Sequence, residues 1–388
     1  ALLHGDGEDD GGGAEGLGIY RRRERDEGIR PLASDYAAAI RCWAYSGAKD
    51  RAARAELILK RLDDLFSARP GDYRMEASSF GLVVDAWAKE GGGEESARRA
   101  EAILGRLEEL HRNDTAMEGP RPDVVVYGSV LHAWANVRSL KAARRAEDIL
   151  GRMEQYGVVP NTICYNSVID AYAKVSRKGS GGEPAQKAQN LLEQMHRLSL
   201  HEDDTDDDDN GPKRESPPRP NLITYQCVMS AWANSGERVA VARIETLLDR
   251  MRRSDPPLRP NTWIYNAVLH AHAASSDPLD SSSALAAESL LREMERLPRL
   301  RPDRVSYNTV LRVWALRRRD PSAPARAEAI LAKMESFPDD DPRSPDLRSY
   351  LAVLDAHARA GRPRRAQEIL DRMERRARAS PRVRPDAR

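Results

Sequence analysis

At 388 residues the chain is long enough for a large core, yet only 5% of it is aromatic and 32% is charged, which argues against one compact hydrophobic centre. The formal net charge of +1 conceals an uneven distribution: residues 1–18 and 202–209 hold 12 of the acids, so the remainder carries 62 Lys and Arg against 49 Asp and Glu and leans toward a polyanionic partner. No run approaches the ~20 apolar residues of a membrane span, and Cys42, Cys164 and Cys227 show no C-x-x-C spacing, so neither a disulfide framework nor a metal site is expected.

Residues 1–30, with Gly11-Gly12-Gly13 and the charged run from Arg21 to Glu27, show no apolar period and read as a flexible N-terminal segment. From residue 31 onward one pattern recurs. An aromatic opens each unit at Tyr36, Phe80, Tyr127, Tyr165, Tyr225, Tyr265, Tyr307 and Tyr350. Seven residues later stand Trp43, Trp87, Trp134, Tyr172, Trp232, His272, Trp314 and His357, with Ala on both sides in all units but the first and the seventh. Within the third unit Tyr127, Val130, Leu131 and Trp134 follow an i, i+3, i+4, i+7 spacing, and Ala146, Ile149, Leu150 and Met153 repeat it. That is the period of two amphipathic helices.

Most first helices are preceded by Pro-Asp or Pro-Asn, as at Pro122-Asp123 and Pro260-Asn261. The short polar side chain is an N-cap signal, able to accept from the free N–H groups of the first turn. One hairpin has two apolar faces and cannot cover both, so the units must stack. The predicted fold class is therefore all-α, an α-α solenoid of about eight hairpins over residues 31–388. The ring at the seven-residue offset, including His272 and His357, reads as packing between layers.

Successive opening aromatics lie 44, 47, 38, 60, 40, 42 and 43 residues apart. The excess over the shortest unit is expected in loops: Glu90–Ser96, Ser176–Pro184 and Ser275–Ser283 inside hairpins, and a disordered acidic insert at 199–218 between two repeats.

The combination of Arg301-Pro302-Asp303 with Tyr307-Asn308, Arg259-Pro260-Asn261 with Tyr265-Asn266, and Pro160-Asn161 with Tyr165-Asn166, followed by Ala-aromatic-Ala and a second helix ending in Met-Glu, resembles the pentatricopeptide repeat family. The match covers about residues 31–386 and is P-type-like, with units longer than is typical. The Trp and Leu-Gly pattern of tetratricopeptide repeats is missing. The resemblance implies a right-handed superhelix whose first helices line a groove for single-stranded RNA, one base per repeat.

In that family the residue after the motif Tyr and the last residue of the repeat read the base together. Carried over, the base-reading residues are Asn166 with Asn221, Gln226 with Asn261, Asn266 with Asp303, and Asn308 with Asp346. The first pair resembles a pyrimidine reader that favours cytosine over uracil, and the last two resemble uracil readers, whereas Gln226 with Asn261 is off-pattern. So are Ala37 with Glu76, Gly81 with Asp123, Gly128 with Asn161, and Leu351 with Asp386. Base stacking falls to the residue two before the Tyr, which is apolar at Val125, Ile163, Ile223, Trp263 and Val305 but Ser34, Ser78 and Arg348 elsewhere. Lys89, Lys174 and Arg359, nine residues beyond the opening aromatic, are the candidate phosphate contacts. Helix capping alone would explain each Asp and Asn singly; only their recurrence argues for reading.

The expected function is sequence-selective binding of single-stranded RNA in organellar RNA processing, stability or translation, in mitochondrion or plastid. The expected partners are RNA and proteins of RNA processing, with no membrane and a monomeric chain. The alternative is a protein-binding helical scaffold, whose groove would favour clustered Arg and Lys for an acidic ligand. An enzyme is not expected, since the His-x-Glu and Cys-x-x-Cys of an appended zinc deaminase do not occur, and no cofactor is expected.

Overall fold

The structure, a computed structural model, describes residues 31–69, 73–91, 93–113, 119–177, 179–200, 217–254, 257–274, 281–297, 299–317 and 320–379. The N-terminal segment 1–30, the acidic run 202–209 and Asp386 lie outside them. Among the described residues there are sixteen α-helices and no strand. The chain divides into two compact units, Ala1–Ala133 and Trp134–Arg388.

In the first unit, α1 (Ala33–Ala44) and α2 (Arg51–Ala68) form one hairpin and α3 (Ala77–Glu90) and α4 (Gly93–Asn113) the next, with α3 packed on both α1 and α2. Most of α5 (Val124–Ala135) also belongs here. The second unit opens with α6 (Leu140–Gln155) and continues as five hairpins: α7 (Thr162–Val175) with α8 (Glu183–Leu200), α9 (Leu222–Ser235) with α10 (Ala240–Arg253), α11 (Thr262–Ala274) with α12 (Ser282–Arg296), α13 (Arg304–Ala315) with α14 (Ala323–Glu335), and α15 (Leu347–Arg359) with α16 (Pro363–Ala379). Each odd-numbered helix from α7 to α13 touches the next odd-numbered helix, so the first helices of this unit form a continuous row.

The layers join through the recurring rings. Tyr127, Tyr165, Tyr225, Tyr265, Tyr307 and Tyr350 are all buried, and so are Trp134, Trp232 and Trp314, whereas Trp43 and Trp87 are half-buried. Several of their polar ends meet the preceding second helix, whereas Tyr165 Oη and Trp314 Nε1 are buried without a hydrogen bond. Tyr307 donates to Glu295 at 2.8 Å and Tyr350 to Glu335 at 2.8 Å, in each case the residue after the motif Met. At the seven-residue offset Trp87 donates to Glu56 at 2.9 Å, Trp232 to Gln189 at 2.9 Å, and Tyr172 to Glu147. His272 and His357 keep this geometry, with Nε2 3.5 Å from Glu245 and from Glu328. These rings are therefore packing elements with a hydrogen-bonding end, the usual compromise for a large buried aromatic.

The loop assignment needs correction. Gly93–Ser96 is the first turn of α4, and Glu183 and Pro184 open α8. Part of the length variation is helical: α4 runs for 21 residues, and α2 and α8 for 18 each, against 13 or 14 in α14 and α10. The insert is also narrower than 199–218, because Ser199 lies in α8 and Pro218 is buried ahead of α9. An amphipathic helix lengthens by whole turns without changing which face it buries, so extra residues need not form a loop.

Candidate nucleic-acid interface

Each first helix of the second unit begins at an Asn or Asp whose side chain caps it. Asn161 accepts from the backbone of Ile163 and Cys164 at 3.0 Å each, Asn221 from Thr224 at 3.0 Å, and Asn261 from Ile264 at 3.1 Å. Asp303 accepts from Ser306 at 2.9 Å and Asp346 from Ser349 at 3.1 Å. Such a cap is worth ~1 kcal/mol to the helix.

The same capping atom receives the residue after the motif Tyr of the preceding first helix. Asn308 Nδ2 donates to Asp346 Oδ1 at 3.1 Å, and Asn266 Nδ2 to Asp303 Oδ1 at 3.2 Å. Asn166 Nδ2 lies 3.4 Å from Asn221 Oδ1, and Gln226 Nε2 lies 3.4 Å from Asn261 Oδ1. All four carried-over pairs thus meet, across 35 to 55 residues of chain, and all eight side chains are partly exposed. The cap engages Oδ1 of Asp303 and of Asp346.

Beside these pairs the carried-over stacking positions stand out as apolar side chains left in water. Ile163 is 69% exposed, Ile223 55%, Trp263 46% and Val305 59%, although the residue that follows each of them is buried. In the first unit Val125 is 67% exposed. Ser34, Ser78 and Arg348, at the same place in other repeats, are exposed too, so the position faces solvent whatever residue occupies it.

Between α7 and α9 a cleft of about 430 Å³ is lined by Arg138, Asp170, Lys174, Gln226, Cys227 and Trp263. Burial pushes the Cys227 thiol up to about 12, so it stays protonated and is no nucleophile at neutral pH. Further along the row burial holds the His270 ring below its ordinary value, and the Arg312 charge adds to this, so the ring is neutral there.

The three phosphate candidates are already paired. Lys89 lies 2.6 Å from Asp85, Lys174 2.7 Å from Asp170, and Arg359 2.7 Å from Asp355, each acid one turn earlier. Exposed pairs at this spacing are worth ~0.3–0.5 kcal/mol, little enough for a phosphate to compete. Lys174 is held further, donating to the carbonyl of Ala135 at 3.2 Å and to Asn136 at 3.1 Å.

The off-pattern pair Gly81 with Asp123 lies beside Val126. A Cβ on Gly81 would come within 3.3 Å of the Val126 side chain, a tight contact that Val126 would have to relieve by a few tenths of an ångström. Sequence reasoning also passed over three buried hydroxyls. Thr224, Ser306 and Ser349, three residues after their caps, donate to Asn166, Asn266 and Asn308 at 2.7, 2.6 and 2.6 Å. Their only signal in the sequence is a Ser or Thr three positions after each of these Asp or Asn caps.

The pentatricopeptide repeat domain model matches residues 112–175, and a second repeat model of the same family matches residues 348–377. Both stretches carry pentatricopeptide repeats. Over 154 residues it is 30% identical to a chloroplastic pentatricopeptide repeat-containing protein of Arabidopsis thaliana, a match covering 40% of this chain and 17% of that protein. A structure of the pentatricopeptide repeat protein PPR10 in complex with an 18-nucleotide psaJ RNA element aligns at a TM-score of 0.42 and 17% identity, over 94% of this chain and 48% of that one. For PPR10 from maize the TM-score is 0.37 at 17% identity, over 92% and 56% of the two chains. The chain spans less than a fifth of the Arabidopsis protein and about half of PPR10.

Proposed function

We propose that this pentatricopeptide repeat protein binds single-stranded RNA along the row of first helices from α7 to α15, one base per repeat, and does so with sequence preference. The observation that carries the proposal is the recurrence, on adjacent helices, of a hydrogen-bonded polar pair next to an exposed apolar side chain. Capping accounts for the Asp and Asn, but it does not require Ile163, Ile223, Trp263 and Val305 to stand in water. A stacked base would cover them.

The pairs differ in what they offer a base edge. At Asn266·Asp303 and Asn308·Asp346 one amide N–H remains as donor and the second carboxylate oxygen as acceptor. The N3–H and adjacent carbonyl of uracil complement that combination. At Asn166·Asn221 both amides retain an N–H, and two donors suit the neighbouring N3 and O2 acceptors of cytosine.

We place this activity in organellar RNA processing, stability or translation; the chloroplastic relative supports a plastid, and a mitochondrion is the other organelle the family resemblance implies. The rival reading, a scaffold for an acidic peptide, would want clustered Arg or Lys at the recurring positions of the row, and these hold Asn, Gln and Asp beside exposed apolar side chains instead. The deciding experiment is selection from randomised short RNAs followed by titration of the winners. Enrichment of a pyrimidine-any-uracil-uracil core supports the proposal; binding of RNA without any preferred core, or no binding, rejects it.

A further inference from the structure

The residues that read a base are held by a third residue for which reading as a pair has no place. We propose that Thr224, Ser306 and Ser349 are specificity-positioning residues: their hydroxyls fix the amide orientation of Asn166, Asn266 and Asn308, so base preference at these repeats rests on three side chains. The inference builds on the RNA-reading function proposed above.

Each hydroxyl is fully buried and fully committed. Ser306 Oγ accepts from the backbone N–H of Asp303 at 3.1 Å; of its two acceptors, Asn266 Oδ1 at 2.6 Å is nearer than Asp303 Oδ1 at 3.0 Å, and Ser349 repeats this with the Asp346 N–H at 3.0 Å, Asn308 at 2.6 Å and Asp346 Oδ1 at 3.1 Å. Thr224 accepts from Asn221 at 3.0 Å and donates to Asn166 at 2.7 Å. A carboxylate can only accept, so the amide nitrogen of Asn266 or Asn308 must face its Asp, and the hydroxyl then supplies the donor that the amide oxygen needs. An Asn side chain otherwise turns broadly about its terminal bond. With both ends engaged it has one orientation and shows a base one donor.

Three of the four off-pattern pairs that precede Leu351 follow the same rule. Where the reading position holds Gly81, Gly128 or Gln226, the corresponding third residue is Val126, Cys164 or Ile264, none of which can take the hydroxyl's part. Ser79, whose reading position is Ala37, is a hydroxyl without an amide to orient.

The test uses the full chain and randomised short RNAs. Three single variants are compared with wild type: Ser306→Ala, Ser349→Ala and the near-isosteric Thr224→Val, with Ser306→Thr and Ser349→Thr as restoring substitutions. Each of the first three should relax preference at its own RNA position by about five-fold, the size of one hydrogen bond, and leave the other positions unchanged. The Thr variants should keep the wild-type preference. Melting temperatures are recorded alongside. Variants that select like wild type, or that lose affinity equally for every RNA, overturn the inference while the RNA-reading function stands. A wild type that selects no sequence overturns both.

Discussion

Asn308 donates its side-chain amide to Oδ1 of Asp346 across 3.1 Å, although 38 residues of chain separate them. The accepting atom is also the one that caps α15 through the Ser349 backbone. Capping and the proposed base reading, which compete as explanations when Asp346 is seen in sequence, are thus compatible in one side chain. The cap holds one oxygen still, and a fixed carboxylate is a better ruler for a base edge than a mobile one.

Replacing Asn266 and Asn308 together by Thr creates, with Asp303 and Asp346, the Thr-Asp combination that resembles the family's guanine reader. Competition binding should show the preferred core moving from any-U-U to any-G-G. Melting temperature should change little, because both side chains are partly exposed and neither caps a helix. Identical selections by wild type and variant would mean that these Asn residues serve only the contacts between repeats.

Deleting residues 203–214 should leave melting temperature and RNA affinity unchanged at low salt, or raise affinity there. The segment removes six of the seven acids of the 202–209 run and two bases, Lys213 and Arg214. The cut spares Arg219, whose carbonyl accepts from the Thr162 hydroxyl at 3.1 Å and ties the start of α9 to α7. Melting curves and RNA titrations at two salt concentrations test this. A large loss of stability would mean that the acidic segment packs.

The two kinds of ring substitution should separate by size. Tyr172→Phe removes only the hydroxyl that donates to Glu147, and Lys187 still pairs with that acid at 3.1 Å, so a loss of ~1 kcal/mol is expected. Trp314 is 0% exposed and makes no side-chain hydrogen bond, so Trp314→Ala should cost ~3–5 kcal/mol through the cavity alone. Denaturant unfolding of both variants checks the ranking, and equal losses would contradict it.

Stability should decline as pH falls from 7.5 to 5.5. His196, His270, His272 and His357 all have pKa values lowered from 6.5, chiefly by burial. As pH drops, the unfolded chain takes up these protons before the folded one does, so the stabilisation is complete above 6.5 and is lost progressively below it. Melting temperatures at pH 7.5, 6.5 and 5.5 should show most of the fall below 6.5. A melting temperature that rises toward pH 5.5 would reverse the assignment.

Much of this molecule is legible in one dimension because each signal is local. The seven-residue offset from Tyr127 to Trp134 specifies a buried helix face, and Pro302-Asp303 specifies a helix start, within a few residues of chain. The carried-over stacking residues were also legible, since each sits two positions before a buried Tyr and therefore on the opposite side of its helix. Loop lengths were not: whether Gly93–Ser96 joins two helices or begins α4 depends on how the turn packs, which its composition does not encode.

The sequence by itself determined that the chain is an array of hairpins and where most helices begin, because periodicity and capping act over one or two turns. Only the tertiary structure decided that Asn266 reaches Asp303 and that Ser306 completes the set. Those contacts depend on how one layer stacks on the next, through buried rings such as Tyr307 and Trp314 placed to sub-ångström tolerance. The hydroxyls show the limit most clearly. In sequence Ser306 is a small polar residue in a first turn; folded, it is fully buried with its hydroxyl 2.6 Å from Asn266 Oδ1, a contact that no local signal announces.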